Sequence, residues 1–195
     1  KKQILPKAYA FDFLRVCLRN PKPCPLLEVT DRGEPEPKLS APGADLRTDV
    51  PRYRIFKRGK LVDEVTDITS HWKDDLVGFL LGCSFTFEGA MVDAGLPVRG
   101  LESGAPTFTA FVTSIECVPA GIFHGPMVVT MRPMGPAQAV QAVQVTSRYP
   151  RVHGAPVHMG DPSQIGIKDL QKPDFGDAVD VRRGEMPLFW GCGIT

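Results

Sequence analysis

The chain has 195 residues, with 23 Lys and Arg against 22 Asp and Glu, so its net charge of +1 creates no global field to draw in polyanions. Its hydrophobic content is 43%, and its longest apolar run, Leu76 to Cys83, is far too short to span a bilayer. No dense Lys/Arg run is interleaved with aromatics, which argues against nucleic acid, and five cysteines without paired spacing do not form a disulfide framework.

A reducing compartment suits these cysteines, with the cytoplasm as default and the mitochondrial matrix an equal fit. The chain opens at Lys1 without a methionine and stops at Gly193-Ile194-Thr195, so it reads as part of something longer, and a targeting peptide is neither claimed nor excluded. Nineteen glycines and 19 prolines exceed the average usage of about 12% and are spread between apolar runs. Many short elements joined by shaped loops are therefore expected.

In chain order, Ala8 to Arg19 reads as a helix with Phe11, Leu14 and Leu18 on one face, stopped by Asn20-Pro21. Residues 22–51 are irregular. Tyr53 to Phe56 and Leu61 to Val65 flank Lys57-Arg58-Gly59-Lys60, a hairpin signal. Thr69 or Ser70 is expected to cap a helix that carries Trp72, Leu76, Phe79, Leu80 and Cys83 inward. Ser84 or Thr86 starts a shorter helix ending at Gly95. Phe108 to Ile115 and Met127 to Met131 have β-branched, alternating character. Pro136 suits the first position of a helix through Val143, and Asp161-Pro162 suits a capped helical turn. Ala178 to Val181 and Leu188 to Trp190 read as strands around the Arg183-Gly184 turn. Helices and strands interleave, so the expected class is α/β, a mixed α+β chain with short helices, a mixed sheet and Gly/Pro-rich loops.

Four loops concentrate chemistry. In Asp45 to Arg52, Arg47 and Arg52 could hold a carboxylate bidentately, although a surface turn with local ion pairs uses the same residues. In Gly82-Cys83-Ser84-Phe85, a thiol sits at a helix start, where Ser84 and free N–H groups could bind an anion; a packing cysteine and an N-cap serine is the blander reading. Thr146 to Asp161 gathers Arg148, Arg151, His153, His158 and Asp161, consistent with a carboxylate clamp and an acid/base histidine. His-x4-His is not a helical ligand spacing and no third ligand is obvious, so no metal is assigned. In Leu188 to Thr195, an apolar strand runs into the Gly-flanked Cys192, a turn where glycines let backbone approach a ligand. Lys168 adds a cation that could neutralise an acidic substrate.

Asn20 to Leu26, Asp45 to Pro51, Gly82 to Phe85, Gly125 to Val129, Thr146 to Pro162 and Gly166 to Asp177, in this order, resemble the bacterial hydro-lyase family to which D-glutamate cyclase belongs. The run from Val145 through His153-Gly154-Ala155-Pro156-Val157-His158 is the most specific part. The resemblance covers essentially the whole chain as a single domain, residues 1–195. It implies two α/β subdomains and a lyase that removes water from D-glutamate to give 5-oxo-D-proline.

That reaction joins the α-amine to the γ-carboxyl carbon while one oxygen departs as water. The chemistry assigns substrate carboxylates to Arg148 and Arg151, with Arg47, Lys168 and Ser84 as further candidates. It assigns acid/base work to His153 or His158, oriented by Asp161 or Asp169. Cys192 or Cys83 could form a thioester that divides one hard step into two. No cofactor is required, and no phosphate-binding signature is present. A small acidic amino acid is the expected partner, with neither nucleic acid nor membrane; a homo-oligomer is compatible with the sequence but not specified by it. A two-cysteine racemase and a small-acid binding protein are the alternatives.

Overall fold

A computed structural model describes residues 1–99 and 108–195. They divide into two compact units, one of Lys1, Asp12–Leu26 and Leu81–Thr195, the other of Lys2–Phe11 and Leu27–Leu80. The class is mixed α/β, as expected.

In the smaller unit, β1 (Lys2–Pro6), β2 (Leu26–Val29) and β5 (Leu76–Leu81) form a sheet in the order β1-β5-β2, with β1 antiparallel to β5. β3 (Tyr53–Lys57) and β4 (Lys60–Val65) form the expected hairpin. Arg58 (φ 50°) and Gly59 (φ 75°) supply the two left-handed residues that match a two-residue turn to the strand twist.

The helix expected from Thr69 to Cys83 is absent. Thr69–His71 is a single 3-10 turn, and Leu76–Leu81 is the central strand β5. A six-residue apolar run fits a buried strand as well as a helix, and periodicity alone does not separate them. Gly78 decides locally: it weakens a helix, and a Cβ there would meet Leu46 Cδ1 and sit 3.2 Å from Thr30 Oγ1.

Helix α1 (Lys7–Arg19) forms where the spacing predicted it, yet Phe11 and Leu18 are 69% and 66% exposed while Val16 and Cys17 are buried. Apolar residues lie on both flanks of this helix, so the burying face depends on what packs against it.

In the larger unit, β6 (Thr109–Glu116), β7 (Pro126–Met134), β8 (His158–Met159), β9 (Phe175–Gly176) and β10 (Met186–Gly191) make an antiparallel sheet in the order β8-β10-β7-β6-β9. Alternation along β10 gives this sheet two apolar faces. Leu188 and Trp190 pack with α2 (Phe85–Asp93) and α3 (Pro136–Thr146) around Phe87, Met91, Met134 and Ala142. Phe189 packs with Phe111, Val129, Met131, Ile165 and Ile167 on the other face.

Residues 178–181 are not a strand: β9 holds the edge beside β6, and Val179 and Val181 instead pack against the Phe189 cluster. The Asp161-capped turn is a 3-10 helix, Pro162–Ile165, with the Asp161 carboxylate accepting from the Ser163 N–H at 2.9 Å. No helix among the described residues is long and apolar enough to cross a membrane.

Candidate active site

Four backbone segments of the larger unit converge because two glycines let them. Gly82 follows the end of β5, and a Cβ there would overlap the Arg151 carbonyl oxygen and come within 2.7 Å of Val152 Cγ1. Gly191 ends β10, and a Cβ there would lie 3.0 Å from the Lys22 carbonyl and from Pro23 N. The Gly82 N–H also donates to the Pro25 carbonyl at 2.8 Å. Segments 22–25, 82–84, 151–155 and 191–193 are thereby packed main chain to main chain. A Gly82→Ala protein is expected to lose about 1–3 kcal/mol of stability or more, because the obstacle is backbone that cannot swing aside. Urea unfolding measures this, and a midpoint equal to the wild type would mean that these loops separate freely.

His153 is 2% exposed and has φ 82°, a left-handed backbone uncommon outside glycine. Its Nδ1 lies 2.6 Å from the Lys22 carbonyl, which can only accept. Nδ1 therefore carries the proton and Nε2 is left as the basic atom. The Lys22 ammonium returns the contact by donating to the Ala155 carbonyl at 2.6 Å. Burial, opposed by the Lys22 hydrogen bond and helped by the nearby Arg132 and Lys1 charges, lowers the imidazole to about 4. It is a neutral imidazole at physiological pH.

Cys83 and Cys192 are both half-buried, Cys83 just before α2 and Cys192 just after β10. Main-chain bonds hold the Cys192 turn: its N–H donates to the Val128 carbonyl at 2.9 Å and its carbonyl accepts from Thr195 Oγ1 at 2.7 Å. Burial raises the Cys192 thiol; the Ile194 N–H, Lys1 and Arg132 oppose that rise, and Cys83 adds to it. Burial lowers the Lys1 ammonium, which Cys192, Cys24 and Cys83 push back up. Lys1 also donates to the Gly193 carbonyl. Cys24 shares a hydrogen bond with Cys17 that lowers Cys24 and raises Cys17.

Sequence reasoning missed Arg132 and Glu88. Arg132, on β7, pairs with Glu88 of α2; their side chains are 12% and 7% exposed. The guanidinium also donates to Ser84 Oγ at 3.3 Å and Thr130 Oγ1 at 3.2 Å, and lies 5.5 Å and 5.3 Å from the ring centroids of Phe87 and Trp190. The available signal was a charge interrupting an apolar strand, Val128-Val129-Thr130-Met131-Arg132, and another within an apolar helix.

The other candidates are placed as follows. Ser84 heads α2 and is spent on Arg132. Arg148 and Arg151 are exposed and bracket the loop that carries His153. His158 stacks on Phe189, with ring centroids 5.8 Å apart, and its Nε2 lies 2.8 Å from the Asp161 carbonyl oxygen. That is the opposite sheet face from Arg132 and Trp190. The Asp161 carboxylate caps its own turn, and its hydrogen bonds to Ser163 hold it below the usual range. Asp169 accepts from the Gln171 N–H and pairs with Lys172, while Lys168 is exposed. Arg47 belongs to the smaller unit, where Asp45 holds it through a 2.7 Å bidentate pair. Among the described residues, no three His, Cys, Asp or Glu side chains are grouped to hold a metal ion.

Comparison with known proteins places the chain in a family. The family described as D-glutamate cyclase matches residues 77–195, which include the Gly82, Cys192 and His153 segments. A Bacillus licheniformis protein named "Putative hydro-lyase BLi00500/BL02808" is 61% identical over 192 residues, covering 98% of this chain and 73% of the relative. "Putative hydro-lyase YcsI" of Bacillus subtilis is 58% identical with 98% and 74% covered. A Rubrobacter xylanophilus "Putative hydro-lyase" is 60% identical with the same coverage. Identity at this level over nearly the whole chain, together with the family match, shows that the chain belongs to the D-glutamate cyclase family of hydro-lyases.

Proposed function

We propose that the chain interconverts D-glutamate and 5-oxo-D-proline, with loss or gain of one water, at the cluster around Cys192, Cys83 and His153. The observation that carries this reading is the close main-chain packing at Gly82 and Gly191, which gathers the segments of Cys83, Cys192 and the buried, neutral His153 in a member of this family.

At neutral pH the γ-carboxylate is a poor electrophile and the α-ammonium is no nucleophile. In the proposed route, His153 Nε2 takes a proton from the ammonium and passes it to the departing γ oxygen. Cys192 Sγ bonds to the γ carbon; that oxygen leaves as water, carrying the thiol proton and the one passed by His153. The free amine then attacks the thioester carbonyl, the C–S bond breaks, and one N–H proton returns to sulfur. Atoms and charge balance: one glutamate becomes one 5-oxoproline and one water. Burial keeps His153 a neutral proton acceptor, and an incoming carboxylate that offsets the Arg132 and Lys1 charges raises the ring and makes it a stronger base. Arg148 and Arg151 hold the α-carboxylate as bidentate donors flanking the same loop. The free cysteines fit a reducing compartment, and the cytoplasm is the proposed location.

Proton NMR of the protein with D-glutamate, L-glutamate or 5-oxo-D-proline, with and without chelator, tests the proposal. Conversion between D-glutamate and 5-oxo-D-proline that survives the chelator is expected; no conversion of any of the three removes the reading. The packing of the Cys83 and Cys192 segments on the same stretch, 22–25, favours one second reading, exchange of the α-proton between two thiols as in a racemase. Solvent deuterium entering Cα separates the two, since cyclisation need not touch that carbon.

A further inference from the structure

We infer that Arg132 and Glu88 are positioning residues for this chemistry: Arg132, clamped by Glu88 and two aromatic rings, holds the Cys83-Ser84 turn and presents a fixed positive charge to Cys192 and His153. The assignment rests on the proposed roles of Cys192 and His153.

Arg132 faces the α2 side of the sheet, since it is opposite Leu188 in the β7–β10 register. Glu88, Ser84 Oγ and Thr130 Oγ1 take its N–H groups, while Phe87 and Trp190 lie beside the guanidinium. The planar fork thus has one orientation, and Ser84 is tied to β7 directly. Stability alone does not account for such a pair: it sits within a cluster of Phe87, Met91, Met134 and Trp190, where removing two charges from water is costly and an apolar pair packs at least as well. Geometry brings the charge near both groups: Arg132 lies over the ring of Trp190, two residues before Cys192, and bonds Ser84, in the segment packed on 151–152 just before His153. Arg132 opposes the burial-driven rise of the Cys192 thiol and deepens the lowering of His153. Lys1 and Cys83 also act on Cys192, and the α-ammonium and side chain of Lys1 also act on His153.

The test reads modification of Cys192 by iodoacetamide as a function of pH, followed by mass spectrometry of its peptide, alongside D-glutamate turnover. Glu88→Gln leaves the arginine uncompensated and is expected to move the alkylation midpoint to lower pH. The double variant Arg132→Met with Glu88→Gln removes both charges and is expected to move the midpoint to higher pH, with kcat reduced about tenfold or more and KM changed less. Arg132→Lys keeps the charge and loses the fork, so it retains the wild-type midpoint while kcat still falls. Unchanged midpoints in Glu88→Gln and in the double variant overturn the inference; should the double variant not fold, Glu88→Gln alone decides. Opposite shifts in a protein that converts neither D-glutamate nor 5-oxo-D-proline would uphold the charge assignment and remove the cyclase reading.

Discussion

A Cys192→Ser protein is expected to lose about 10³-fold or more in turnover of D-glutamate and 5-oxo-D-proline while keeping the fold. Serine is nearly isosteric, and the Cys192 turn is held by main-chain bonds to Val128 and by Thr195, none of which needs sulfur. The loss is chemical: a hydroxyl is a far weaker nucleophile than a thiol near neutral pH, and its ester is the poorer acyl donor to the amine. Steady-state rates with unchanged circular dichroism measure the effect. Acid quenching of the wild type during turnover should trap a glutamyl adduct on the peptide containing Cys192. Full activity in Cys192→Ser would exclude it as nucleophile, and the same pair of measurements on Cys83→Ser would then judge the other thiol.

His153→Asn is expected to cost about 10²- to 10⁴-fold in kcat and to remove an acid-sensitive contribution to stability. Asparagine is chosen because the position has φ 82°, which Asn tolerates better than most residues, and because its amide can still donate toward the Lys22 carbonyl. His153 titrates at about 4 in the folded protein against an ordinary 6.5. Between these values the unfolded chain binds a proton on this ring that the folded chain refuses. Stability is therefore unaffected by the group above pH 6.5, falls as pH drops toward 4, and levels off below, a total of about 3 kcal/mol at 1.36 kcal/mol per unit. Urea midpoints at pH 7.5, 5.5 and 4.5 should show a shallower acid decline in His153→Asn than in the wild type. Equal slopes would assign the acid sensitivity to another group.

Local signals were read well where one residue type dictates the backbone. The hairpin at Arg58-Gly59, the start of α3 at Pro136 and the Asp161-capped turn each rest on a turn or cap whose geometry belongs to two or three residues. Leu76–Leu81 was misread because an apolar hexamer satisfies both periods, and the choice belongs to β1 and β2 on either side of it. Phe11 and Leu18 share one face of α1 by spacing, although the burying face is the one that carries Val16 and Cys17.

The mixed α/β class, the shortness of every apolar run, the family, and the Gly-flanked turns that carry Cys83 and Cys192 are legible in the residues alone, because composition, turn chemistry and short motifs act over a few residues. The sheet face or compact unit that each candidate occupies comes from long-range packing. The order β8-β10-β7-β6-β9 puts His158 on the Phe189 face, whereas His153 feels the charge of Arg132, which lies on the Trp190 face; Arg47 belongs to the other compact unit. The tertiary structure also revealed Arg132 and Glu88, 44 residues apart in the chain and joined in one buried pair. The physical reason is that burial and charge pairing are set by long-range packing, and the position of a charge along the chain does not encode its partner.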